Sequence, residues 1–118
     1  MKEFIFDEYH HCINPNRIAY GNKEFYGEVH TAFHKDKWYV GDMYWCRGTD
    51  WNNPPSLNTN NFDTEREAII YGIEHIIDHL TWIQEKPFDK EVPGFIFKEL
   101  KKLLDNYKNP QLELFSHS

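Results

Sequence analysis

Seven histidines in a chain of 118 residues are the first chemistry to weigh. His75 and His79 bracket Ile76-Ile77-Asp78. On a helix this spacing puts both imidazoles on one face, where they can share a metal ion. In the H-E-x-x-H arrangement of zinc hydrolases a glutamate directly follows the first histidine; here that position is Ile76. The reversed order fits better, but Asp78 stands where a glutamate is needed and shortens the reach of the base. No third ligand stands out. The expectation is therefore a solvated helix face with two ordinary surface histidines, and a metal-dependent hydrolase using His75 and His79 is the weaker alternative. His10-His11-Cys12 is a second group. Neighbours on a strand point to opposite faces, so His10 and Cys12 can share a site and His11 cannot. Cys12 and Cys46 lack paired C-x-x-C spacing and read as small buried apolar side chains.

Other catalytic patterns are missing from the sequence. It has no G-x-S-x-G turn, phosphate-binding glycine loop or dinucleotide fingerprint. The paired carboxylates Asp7-Glu8 and Glu65 with Glu67 sit in cap or surface contexts. No enzyme activity and no cofactor are expected. Trp38, Tyr39, Tyr44, Trp45 and Trp51 could stack bases, but residues 1–62 hold six basic against eight acidic groups, and phosphate binding needs a basic surface. Direct nucleic-acid binding is not expected, and core packing is the better account of most of these rings. Between Asp63 and Glu85 six acids face one base, Arg66. An acidic surface of this kind admits a second function, inhibition of a nucleic-acid-binding partner. The net charge of −6 is also simply that of a soluble protein.

The elements that would position these residues change near Phe62. Before it the composition favours strands. Glu24–Phe33 and Trp38–Cys46 alternate as a strand pair around the short polar segment His34–Lys37. Both faces of the second strand carry rings: Trp38, Val40 and Tyr44 on one, Tyr39, Met43 and Trp45 on the other. The core face is thus left open. Phe4 to about His11 reads as an earlier strand, Asn14-Pro15-Asn16 as a turn, and Arg17–Tyr20 as a further short strand. Gly48–Asn61, dense in Asn and Pro, reads as an irregular loop. A helix then opens at Asp63 or Thr64 and carries Ile69, Ile73, Ile76, Ile77, Leu80 and Ile83 at helical spacing, ending before Pro87. A second starts near Pro93 with Phe97, Leu100, Leu103, Leu104 and Tyr107, and Asn109-Pro110 ends it. Its polar face is basic: Lys98, Lys101, Lys102 and Lys108. The expected class is α+β: an N-terminal antiparallel sheet of three to four strands, followed by two C-terminal helices packed on it, in one domain over 1–108. The aromatic share of 17% supplies a core for it. No apolar run reaches the roughly 20 residues that span a bilayer. The acidic N-terminus does not resemble a signal peptide, and a cytoplasmic, reduced protein is expected.

The tail, 109–118, is the sharpest feature. It reads Gln111-Leu112-Glu113-Leu114-Phe115 before the last three residues. This resembles the pentapeptide with which many bacterial DNA-metabolism proteins bind the replication sliding clamp. That pattern is Gln, Leu, a small polar or acidic residue, Leu, Phe, and Glu113 departs from the usual Ser or Asp. The resemblance implies that Leu114 and Phe115 fill one hydrophobic pocket, that Leu112 adds an apolar contact, and that Gln111 offers its amide to a polar subsite. Compact anchors of this kind dominate peptide interfaces. The resemblance implies a small non-catalytic accessory protein of bacterial or mobile-element DNA metabolism, with the sliding clamp as partner. The rival reading folds Leu112, Leu114 and Phe115 onto the protein's own core.

Overall fold

The structure is a computed structural model and describes residues 2–46, 49–85 and 92–109, with Cys46 and Thr49 described by their backbone only. Strands β1 (Asn16–Gly21), β2 (Phe25–His34), β3 (Lys37–Cys46) and β4 (Thr49–Asn53) form one antiparallel sheet in chain order. Helices α1 (Glu65–Glu85) and α2 (Gly94–Lys108) follow, so the fold is α+β. The turns explain the register. Gly21 has φ +95°, and a Cβ there would lie 2.1 Å from the Phe25 carbonyl oxygen, so only glycine makes the β1–β2 turn. Lys35 and Asp36 have φ of 49° and 65°, the left-handed pair of a two-residue hairpin, and His34 pairs with Lys37 across it.

The helices settle which sheet face is the core. Val29 stands opposite Asp42 and Gly27 opposite Tyr44, so Phe25, Gly27, Val29 and Thr31 share a face with Val40, Asp42 and Tyr44. Ile69, Ile73, Ile76 and Leu80 of α1 and Ile96 and Leu100 of α2 bury against that face; Ile77 and Ile83 are half-buried. Thr64 starts α1: its hydroxyl accepts the Glu67 N–H at 3.1 Å, while Asp63 pairs with Lys37 instead. Glu65 ties this end to the sheet, accepting from Thr31 Oγ1 at 2.8 Å and Asn16 Nδ2 at 3.1 Å. Arg66 secures the far end of α2, donating to the Tyr107 and Lys108 carbonyls at 2.6 and 2.9 Å.

Two segments differ from expectation. Phe4–His11 is not a strand; it makes only isolated pairings, Phe6 with Cys12 and His11 with Ser56. The cause is Asp7, whose carboxylate accepts the N–H groups of Tyr9 and His11 and folds the chain into a turn with His10 at φ 66°. His10 and Cys12 therefore share no site: His10 is exposed, while Cys12 is buried with its Sγ 3.5 Å from Asn14 Oδ1. The expected loop Gly48–Asn61 contains β4. Trp51 stands opposite Tyr44 and stacks on it with ring centroids 6.4 Å apart, and an edge strand tolerates Asn and Asp beside that anchor. Among the described residues no helix is long and apolar enough to cross a membrane.

Candidate functional site

The sheet edge has a gap, and the gap makes a cleft. β4 pairs with β3 only from Asp42 onward. The chain leaves the edge after Asn53 and rejoins it at Phe62, which exchanges both backbone hydrogen bonds with Trp38 at 2.8 Å. Val40 lies between these two pairings. Alternation along the strand turns its N–H and C=O to the same side as those of Trp38 and Asp42. Asn53, Thr59 and Asn60 form one rim there, and Tyr71, Gly72 and His75 of α1 form the other, around a cavity of about 320 Å³. Two glycines make this possible. A Cβ on Gly72 would lie 2.7 Å from Val40 Cγ2 and 3.0 Å from Val29 Cγ1, so α1 rests close on the sheet. A Cβ on Gly41 would lie 2.1 Å from the Asn53 carbonyl oxygen, where the chain turns away.

Asp42 is the centre of this region. It is 3% exposed, lines the cavity, and accepts the Trp51 indole N–H at Oδ1 (3.2 Å). Burial pushes its carboxyl above the usual range; the Trp51 N–H, His75, the Asn53 side chain and His79 each work against that rise. The two helix histidines diverge in role. His75 is exposed, stacks parallel on Tyr71 (centroids 6.1 Å apart, 15° between planes) and lines the cavity. His79 packs beside the Trp51 ring at 4.7 Å and the Trp82 ring at 6.2 Å, with the Tyr44 hydroxyl 3.4 Å from its Nε2. Burial lowers the His79 pKa; Asp42 opposes this and His75 adds to it. His79 is thus not the ordinary surface histidine expected. The pair does not gather a third ligand: among the described residues no three His, Cys, Asp or Glu side chains come together in a way that could hold a metal.

Tyr20 reaches toward the same place from β1. Its ring lies across Gly27, where a Cβ would be 2.2 Å from Cζ. Among the described residues its buried hydroxyl has no hydrogen-bond partner, and burial, with Asp42 and Tyr44 adding, pushes the phenol well above its usual range. On the opposite sheet face a separate polar group forms. The Tyr26 hydroxyl donates to Glu28 Oε2, and His30 Nε2 donates to Glu28 Oε1 at 2.7 Å. Burial works to raise the Glu28 pKa, but Tyr26, His30 and Arg17 together hold it below the usual carboxylate value.

The rings do not share one surface. Tyr39 and Tyr44 are buried, Trp38 stacks on Phe33 at 5.1 Å, and Trp45 (39% exposed) and Trp51 (36%) lie on opposite faces. Core packing therefore accounts for the tyrosines and not for these two tryptophans. Gln111, Leu112, Leu114 and Phe115 lie outside the described residues. Asp42 was missed in the sequence, although its position between Val40 and Tyr44 was a signal: a charged group in an otherwise apolar alternation. Compared with known proteins, the chain matches no family model, no curated protein and no solved structure.

Proposed function

We propose that this is an accessory protein of bacterial or mobile-element DNA metabolism whose C-terminal peptide docks on the replication sliding clamp. Gln111, Leu112, Leu114 and Phe115 carry the contact, and the folded domain acts as the module that the peptide brings to the clamp. The reading rests on the sequence Gln111-Leu112-Glu113-Leu114-Phe115. The anchoring of α2 suits it. Arg66 holds the last helical carbonyls, so the peptide begins three residues beyond a fixed point at Lys108.

Calorimetry with a purified bacterial sliding clamp tests the proposal. The full chain is expected to bind, and chains ending at Asn109 or carrying Leu114→Ala with Phe115→Ala are expected not to bind while keeping their melting temperature. If these variants melt early, Leu112, Leu114 and Phe115 belong to the protein's own core and the reading fails. Absence of binding by the full chain refutes it as well.

A further inference from the structure

The cleft at the Val40 gap has the makings of a ligand site independent of the tail. Its chemistry starts from Asp42. A carboxylate has about four lone-pair positions; among the described residues the Trp51 indole N–H takes one, and the Asn53 side chain also favours the charged form. Neither donor carries charge, and no Lys or Arg lines the cavity among the described residues. A buried carboxylate without a cationic partner is an incomplete arrangement, because burial disfavours the charge and neutral donors only partly compensate. The basic side chains that act on it are His75 and His79, both on α1.

The rest of the wall narrows what completes it. Tyr71 and His75 stack on one another and both line the cavity, giving it an aromatic wall beside the carboxylate. Such a surface attracts a planar cation or a conjugated ring. Val40 adds a main-chain N–H and C=O at the step of the ladder that has no partner among the described residues, and Asn60 and Thr59 add polar side chains at the rim. Anions are disfavoured by Asp42. Among the described residues a metal lacks a ligand set. An apolar ligand would leave the carboxylate unpaired. The group that fits is flat, carries two adjacent N–H donors for the free side of the carboxylate, and presents a π face to Tyr71.

We propose that this cleft binds a small molecule through a planar group with paired N–H donors, held by the Asp42 carboxylate beside the aromatic wall of Tyr71 and His75. A guanine base and a guanidinium group both present this chemistry. The cavity of about 320 Å³ admits either one with part of the attached sugar or alkyl chain.

The test uses the full chain, labelled with ¹⁵N, titrated with guanosine and separately with agmatine. Adenosine and putrescine are the controls, lacking the paired donors and the planar cation respectively. Binding by guanosine or by agmatine, with shifts centred on the Trp51 indole N–H, Val40 and His75, is the expected result, and which of the two binds identifies the source of the group. Asp42→Asn keeps an acceptor for Trp51 but loses the charge; it is expected to weaken binding at least about tenfold, the value of one charged hydrogen bond. Tyr71→Ala, on the exposed face of α1, is expected to weaken binding with the fold intact. The proposal is overturned if neither probe binds at millimolar concentration, if the controls bind equally, or if folded Asp42→Asn binds as well as the parent. Should Asp42→Asn fail to fold, the shift map of the parent protein and Tyr71→Ala decide. Shifts away from the cleft, or undiminished binding by Tyr71→Ala, refute it.

Discussion

Replacing Gly72 by alanine tests the closeness of α1 to the sheet, on which the cleft depends. The new methyl would sit 2.7 Å from Val40 Cγ2 and 3.0 Å from Val29 Cγ1. Carbon atoms prefer about 3.5–4.0 Å, so at the Val40 contact one side must move by roughly 1 Å. The neighbours are β-branched residues on the central strands, stiff at χ1, and Val29 is wholly buried. Overpacking of this kind costs about 1–3 kcal/mol. Against it, alanine is better than glycine inside a helix by about 1 kcal/mol. The expected balance is a loss of about 1 kcal/mol. Gly94, at the start of α2, is the control: nothing lies within 4 Å of a Cβ there, and its φ is not in the left-handed region. Gly94→Ala is expected to gain about 0.4–1 kcal/mol through the unfolded chain alone. Urea unfolding of both variants gives the comparison. Combining Gly72→Ala with Val40→Ala should lose less than the sum of the single changes, since the cavity left by valine receives the methyl. If Gly72→Ala is as stabilising as Gly94→Ala, the helix does not rest on Val40 and Val29, and the cleft as described does not exist.

Three further outcomes follow from the same contacts. Glu28 has its pKa held below 4.5 in the folded state, so the stability it contributes is present above that pH and lost as the pH falls through the folded value; urea melts of Glu28→Gln should show a shallower acid loss than the parent. His79 has its pKa lowered from 6.5, so the unfolded chain takes up the proton first: stability is full above pH 6.5 and declines as the pH falls toward the folded value, and His79→Phe, which keeps a ring beside Trp51, should flatten that limb. Arg66→Ala removes two hydrogen bonds to the final carbonyls of α2 and should cost about 1 kcal/mol, with amide exchange rising first in the last turn of that helix.

The class of fold was legible because its signals are local. The isoleucine stripe of α1 repeats at helical spacing, Asp63 or Thr64 offers its cap, and Trp38–Cys46 has the alternating make-up of a strand. What was not legible depended on pairings between distant residues. Both faces of β3 carry rings, so alternation alone could not choose between Val40-Asp42-Tyr44 and Tyr39-Met43-Trp45. Gly72, a small position on the buried face of α1, lets Val40 and Val29 approach the helix from the face that is the core. Once that face is chosen, Asp42 points inward. Its burial is eased by Trp51, which arrives from β4, a strand hidden in a segment that reads as loop. His79 then acquires its surroundings from the same tryptophan. Asp42, Trp51 and His79 are thus one arrangement contributed by β3, β4 and α1. The missed strand, the misplaced histidine and the unexpected carboxylate share one physical origin: the register in which Trp51 meets Tyr44.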